Sequence, residues 1–290
     1  MKKIYIQFLC IFMIFGFLLL PTTVYADIGP KPSVVVTFTG LEDENYYVTL
    51  ISQDDSTGPY SYGNPYYDWM GEEWVFNKFS EYKMPNGYYF LSYMEDCSDD
   101  DTFEWGYYPP QEFRILIYFT DYDAFLEVDG DYERYAFDSY FTVDVTPPTA
   151  SSTDSSGTVE KSYDFTGETI SFIVRIICTI AVEILIALLF LYRDKKSLVT
   201  ITIINVITQI VLNVLLNIFN YQSGPWAFVF HYVWMEIVVF AIEAFLYSRL
   251  LPSTNSQTEK AYHPCWYAFV ANIVSFILGM LIAKWIPGIF

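Results

Sequence analysis

Histidine and cysteine are scarce in this chain, at two and four residues in 290. His231 and His263 lie far apart, and Cys10, Cys97, Cys178 and Cys265 form no Cys-x-x-Cys pair, which argues against a zinc site of ordinary ligand spacing. Basic residues are few as well: 15 Lys and Arg stand against 34 Asp and Glu, for a net charge of −19. The apolar stretches hold no Asp pair, no Gly-x-Ser-x-Gly turn and no His-Glu-x-x-His helix, so an enzyme is not expected. No complete Asp-x-Asp-x-Asp-Gly loop is present, and neither a metal nor another cofactor is expected.

The charge is divided unequally along the chain. Residues 27–168 hold 29 acidic and 6 basic residues, whereas the remainder after Glu168 holds 5 and 7. Such an acidic segment repels nucleic acid and anionic head groups, leaving cations, neutral sugars or basic protein surfaces as its partners. With Cys97 as its lone cysteine, the segment has no internal disulfide.

Residues 1–26 read as a secretory signal peptide, with Lys2 and Lys3, an apolar run from Ile4 to Leu20, and Val24-Tyr25-Ala26 before the cleavage position. No lipobox cysteine precedes that position. Residues 27–145 are rich in Tyr, Phe, Val and Thr between Gly, Pro, Asn and Asp, which is strand chemistry. Strands are expected over Ser33–Thr39, Tyr46–Ser52, Tyr88–Met94, Glu112–Thr120, Ala124–Val128, Asp131–Phe137 and Tyr140–Val145, with a two-residue hairpin turn at Asp129-Gly130. This predicts an exported, antiparallel β-sandwich-like domain. Residues 146–168, opening on Pro147-Pro148-Thr149-Ala150-Ser151-Ser152, read as a flexible linker.

Residues 169–290 carry four apolar stretches, over Thr169–Tyr192, Leu198–Phe219, Trp226–Leu250 and Trp266–Ile286. Each can span the roughly 30 Å of a bilayer's hydrocarbon, predicting a four-helix transmembrane bundle. Arg193, Lys195 and Lys196 follow the first stretch and Arg249 and Lys260 the third, while Asn220–Pro225 carries no charge. Positive-inside bias then places the first and third turns in the cytoplasm. The expected setting is a bacterial cell membrane, with both the N-terminal domain and the C-terminus extracytoplasmic and Lys284 reaching the outer surface.

Polar residues recur inside these stretches with helical spacing. Glu236 and Glu243 are seven residues apart, hence about 20° apart around a helix, and Tyr247 continues their face. Arg175 and Glu183 share the first stretch. Asn205, Gln209, Asn213 and Asn217 recur every four residues with Thr208 beside them, and Asn272, Ser275 and Gly279 share a face of the last. Charged groups at bilayer depth face the protein interior, so these side chains should meet one another. They could serve as structural hydrogen-bonding groups between helices or as a site for a cation or proton.

In the acidic half, Asp96, Asp99, Asp100 and Asp101 fall in one loop, and Asp121, Asp123, Asp129 and Asp131 around one expected hairpin. A solvated acidic surface is expected. Tyr60, Tyr62, Tyr66, Tyr67, Trp69, Trp74, Trp105, Tyr107 and Tyr108 place aromatics on expected loops, where they pack or stack on sugars.

Four short segments carry a resemblance: Asp27-Ile28-Gly29-Pro30-Lys31-Pro32-Ser33, Tyr46-Tyr47-Val48-Thr49-Leu50, Ser56-Thr57-Gly58-Pro59 and Phe113-Arg114-Ile115-Leu116-Ile117-Tyr118-Phe119. In these the chain resembles a family of uncharacterised bacterial multi-pass membrane proteins that join an exported β-rich domain to a small helical membrane block. The resemblance implies the layout and assigns no residue a role. Two functions are expected from the layout and the polar interior. One is a surface membrane protein whose outer domain binds a protein or envelope partner while the bundle, seated in the lipid bilayer, anchors it or relays its state. The other is a small cation- or proton-handling channel or transporter using Glu183, Glu236 and Glu243.

Overall fold

A computed structural model describes residues 29–67, 71–85, 87–149, 154–252 and 263–283. The expected signal peptide, with Cys10, lies outside the described residues, as do Trp69, Lys260, Lys284 and the end of the fourth apolar stretch. In chain order the elements are β1 (Ser33–Thr39), β2 (Tyr46–Ser52), β3 (Ser56–Thr57), β4 (Tyr60–Ser61), helix α1 (Glu73–Glu81), β5 (Tyr89–Phe90), β6 (Glu95–Asp96), β7 (Thr102–Trp105), β8 (Glu112–Phe119), β9 (Ala124–Glu127), β10 (Tyr132–Glu133), β11 (Asp138–Thr146) and β12 (Ser156–Lys161). Helices follow over Phe165–Leu189 (α2), Lys195–Leu250 and Pro264–Ala283.

The N-terminal half is β-rich and built from two main sheets, with β3 and β4 paired as a separate two-stranded ribbon. One runs β12-β11-β1-β7; the other runs β10-β8-β2-β5, with β6 and β9 completing it. Inward residues of both sheets, among them Val34, Val36 and Phe38, Val48 and Leu50, Ile115 and Ile117, and Phe141 and Val143, form one core. β11 alternates buried and exposed positions because only one of its faces is covered. β2 is buried at every position. The reason is a third layer: α1 lays Val75, Phe76 and Phe79 on the second sheet's outer face, against Tyr47, Ile51, Leu116 and Tyr118. The sequence reading did not anticipate this helix.

Four other expectations are corrected. β1 and β11 pair in parallel, Ser33 opposite Asp138 through Thr39 opposite Asp144, so the first sheet is mixed. The intervening chain supplies the whole second sheet, which is the long crossover a parallel pair requires. Ser156–Lys161, read as tether, is an edge strand paired antiparallel with β11 over Phe141–Thr146. Residues 150–153 of that tether lie outside the described residues. Asp129-Gly130 does not turn a hairpin, because β9 and β10 both pair with β8. Val128 N–H still donates to Ile115 O (3.0 Å), and Gly130 at φ 120° absorbs the excess chain, as a bulge does. Trp105, Tyr60 and Trp74, all assigned to loops, lie on β7, β4 and α1, and Trp105 is fully buried beside Tyr60 and Tyr93. Tyr62, Tyr67, Trp74 and Tyr108 do remain exposed.

Several acids of this half hold the fold together. Arg114 bridges the bulge, pairing with Glu127 (2.7 Å) and Asp131 (2.6 Å), and Lys78 ties α1 to Asp123 (2.5 Å). The Arg114 guanidinium and the Tyr88 hydroxyl hold the Asp131 carboxyl below its usual range; Lys78 and the Tyr118 hydroxyl do the same for Asp123. A carboxyl whose folded pKa is depressed stabilises the fold above its unfolded pKa and loses that contribution as pH falls through the folded value. The melting temperature should therefore fall progressively on acidification below the ordinary aspartate value of 3.8. The slope should be shallower for Asp131→Asn; an unchanged slope would show that these pairs do not matter.

Cys97 is fully buried in the sandwich core, and burial, reinforced by Glu95 and Asp100, pushes its thiol up. Thiolate is the reactive form. Cys97 should resist a thiol-specific chromogenic reagent in the folded protein and react on denaturation, which peptide mapping of the labelled protein checks.

Beyond β12, two helical stretches are long and apolar enough to cross a membrane: Phe165–Leu189, of 25 residues and mean hydropathy 2.6, and Lys195–Leu250, of 56 residues and 2.1. Pro264–Gly279 is apolar over a shorter length. Asp164 caps α2 by accepting the Gly167 N–H, and Asp194 caps the next helix by accepting the Ser197 N–H, each at 2.8 Å. The 56-residue stretch is not one rod. At Gly224 the backbone takes φ 81° and ψ 179°, with Pro225 next, which divides it into α3 (195–223) and α4 (225–250). Cross-links from Asn205 to Tyr247 and from Thr208 to Glu243 show that the two limbs run antiparallel, as the uncharged turn at Asn220–Pro225 predicted. Helix Pro264–Ala283 is α5.

Candidate functional site

The helices bury most of the polar residues of their middle turns beside two apolar clusters, and expose many other apolar residues. Asn205 and Glu243 are 0% exposed and Glu183 1%, whereas Ile177 and Leu185 are each 61% exposed and Ile207 57%. Helical periodicity produces this: the Asn205, Gln209, Asn213 row rises every four residues along one side of α3, and Ile203, Ile207 and Val211 occupy another. Asn217, last of the row, has drifted to a half-buried position.

Side-chain hydrogen bonds connect each helix to the next. Arg175 on α2 donates to Asn213 Oδ1 on α3 at 3.2 Å, and its guanidinium stands 5.8 and 5.6 Å from the Phe228 and Tyr232 rings of α4. Asn213 in turn donates to the Gln209 carbonyl at 2.8 Å. Thr208 on α3 donates to Glu243 Oε1 on α4 at 2.6 Å, and Asn272 on α5 donates to Glu243 Oε2 at 2.8 Å. Ser275 on α5 reaches Glu183 Oε1 on α2 at 3.4 Å. Nine of the ten expected residues are therefore buried together: Arg175, Glu183, Asn205, Thr208, Gln209, Asn213, Glu243, Asn272 and Ser275.

Glu236 is the exception. It is half-buried and lines a groove of about 250 Å³ with Val233, Ile237, Phe240, Phe269, Asn272 and Phe276. The two acids share a helical face, but the packing of α5 closes over Glu243 and leaves Glu236 at the edge. Tyr232, Tyr247 and Tyr267, all but fully buried, belong to the same interior. Asn205 donates to the Tyr247 hydroxyl at 2.8 Å, and the Tyr267 hydroxyl approaches the Glu183 carbonyl at 3.3 Å. Tyr232 and Tyr267 were not among the expected residues, although Tyr232, Glu236, Glu243 and Tyr247 are spaced by 4, 7 and 4 and form one stripe.

Two acceptors in this interior have no hydrogen-bond donor among the described residues: Glu183 Oε2 and Asn205 Oδ1. Asn205 spends its amide hydrogens on Ile201 O and Tyr247. A buried acceptor without a donor is costly, and a proton on the Glu183 carboxyl would relieve that cost. Among the described residues no three His, Cys, Asp or Glu side chains come together to hold a metal ion.

The sandwich is seated on the helices at one junction. The Phe137 N–H donates to the Tyr221 carbonyl at 2.8 Å, and the Phe137 ring lies against Gly224. Tyr221 also packs near Tyr163, with ring centroids 5.3 Å apart, and near Tyr135 at 6.4 Å. The β-rich half thus grips the α3–α4 turn with backbone and aromatic contacts. No protein-family model, no curated protein and no solved structure matches the chain.

Proposed function

We propose that this chain is a non-enzymatic integral membrane protein of the cell surface, in which an exported receptor sandwich bears on a four-helix transmembrane bundle and passes its state to it. The observation that carries this reading is the junction of Phe137 with Tyr221 and Gly224, which couples the sandwich directly to a helical turn. The inverted burial supports the membrane setting, because lipid rewards apolar surface outside and confines polar groups within. The acidic outer domain suits a basic protein or envelope partner, while nucleic acid is a poor fit for its charge.

Hydrogen–deuterium exchange on the full chain in lipid nanodiscs tests the coupling. Phe137→Ala should raise exchange at the amides of 220–224 and in the adjoining turns of α3 and α4. Unchanged exchange there would reduce the sandwich to an appendage and overturn the relay.

A second reading is cation or proton handling, favoured specifically by Glu183 Oε2, a buried carboxylate oxygen without a donor among the described residues. Proteoliposome flux should then fall to background in Glu183→Gln and in Glu236→Gln/Glu243→Gln while the proteins still fold. Absence of flux from the wild type across several cations and both polarities would remove this reading.

A further inference from the structure

We infer that the cavity at the junction of sandwich and helices is a binding site for an organic ammonium group. The cavity measures about 370 Å³, within the size range of small-molecule sites. Three separate parts of the chain build it. β11 supplies Asp138 and Tyr140, the start of α2 supplies Asp164 and Glu168 with Tyr163 just before, and the α3–α4 turn supplies Tyr221.

Its charge is unbalanced. Asp138 accepts the Ser33 hydroxyl (2.7 Å), Asp164 the Gly167 amide (2.8 Å) and Glu168 the Tyr163 hydroxyl (2.6 Å). Every one of these donors is neutral, and no lysine, arginine or histidine is among the lining residues. The carboxylates do not form a chelating group, since no three acids among the described residues are placed to hold a metal ion. Carboxylates spread over a cavity with tyrosine walls match a cation that is itself large and weakly hydrated, which is the chemistry of aromatic recognition of ammonium.

The same aromatic cluster already receives an ammonium of this chain. Lys161 Nζ stands 4.7 Å from the Tyr135 ring centre, and Tyr135 packs 6.5 Å from Tyr163 and 6.4 Å from Tyr221. The cavity presents neighbouring members of that cluster without a lysine. A ligand held there touches the sandwich and the helices at once, so this inference names the ligand class of the receptor reading and rests on its docked arrangement. The ammonium has two possible sources, a soluble amine or a lipid head group, and the site's chemistry is the same for both.

Calorimetric titration of the full chain in nanodiscs of amine-free anionic lipid, with choline and with spermidine, tests the soluble source. Nanodiscs containing phosphatidylcholine or phosphatidylethanolamine, with choline as competitor, test the lipid source. Saturable binding in either arm is expected, weakened about tenfold or more by Asp138→Asn/Glu168→Gln and unchanged by Asp99→Asn on a distant loop. Tyr140→Ser, at a side chain already 39% exposed, provides a second variant if the first loses its fold, and should also weaken binding. No saturable binding in any arm, or an equal loss in Asp99→Asn, would overturn the site. Ammonium binding without any change of exchange in α3 and α4 would uphold the site and reject the relay. The reverse pattern would uphold the relay and reject the site.

Discussion

Gly224→Ala should lower the melting temperature of the full chain by roughly 4–24 °C, and the Phe137 amide should lose its protection from exchange. Two independent costs combine. The backbone at φ 81° and ψ 179° lies in a region that essentially only glycine occupies, at roughly 1–3 kcal/mol for another residue. A Cβ there would also stand 2.6 Å from two carbons of the Phe137 ring, an overpacking worth roughly 1–3 kcal/mol. For a protein of this size each kcal/mol moves the transition by about 2–4 °C. The two costs are separable. In a Phe137→Ala background the ring is gone and only the backbone strain remains, so Gly224→Ala should cost less there than in the wild type. Equal costs in both backgrounds would mean that Phe137 does not rest on the turn.

The α3–α4 turn also marks how far the sequence could be read. Its position was legible because Asn220–Pro225 lacks charge and ends in Gly224-Pro225, both unfavourable inside a helix. The polar row of α3 and the two acids of α4 were legible for the same reason, since period 3.6 places them on one side whatever they touch. Their partners were not. Arg175 meets Asn213, 38 residues away, and Glu183 meets Ser275, 92 away, and no local rule selects those pairs. In the sandwich, β1, β2, β8 and β11 announced themselves by composition, but the parallel register of β1 on β11 joins residues 105 apart. Helix α1 was missed because its nine residues are too short to stand alone, and its Val75, Phe76 and Phe79 become a helical face only against the second sheet. β12 was missed because its Ser-Gly-Thr composition resembles a tether, and the ladder offered by β11 outweighs that preference. The docking of Phe137 on Tyr221 left no trace in periodicity at all.

Glu243 should prove the most sensitive position in the helical half, in a manner that depends on what replaces it. Its side chain is fully enclosed and its two oxygens join α3 and α5 to α4 through Thr208 and Asn272. In the membrane setting proposed above such contacts are worth roughly 0.6–2 kcal/mol each, because the separated helices also find partners. Glu243→Ala removes both and leaves a cavity. The abandoned donors keep some recourse, since Thr208 can turn to the Ile204 carbonyl at 3.1 Å and Asn272 already reaches the Ala268 carbonyl at 2.9 Å. A loss of about 2–4 kcal/mol is therefore expected, dominated by the void and the lost links rather than by stranded donors. Glu243→Gln preserves the shape, accepts from Asn272 and donates to the Thr208 oxygen, and should lie within about 1 kcal/mol of wild type. Glu243→Leu decides what the polar link is for. It fills the volume and removes the polar atoms, so stability equal to wild type in unfolding titrations from mixed micelles would show that the helices do not need a carboxyl to assemble. Loss of coupling to the sandwich in that stable variant would then assign Glu243 to function.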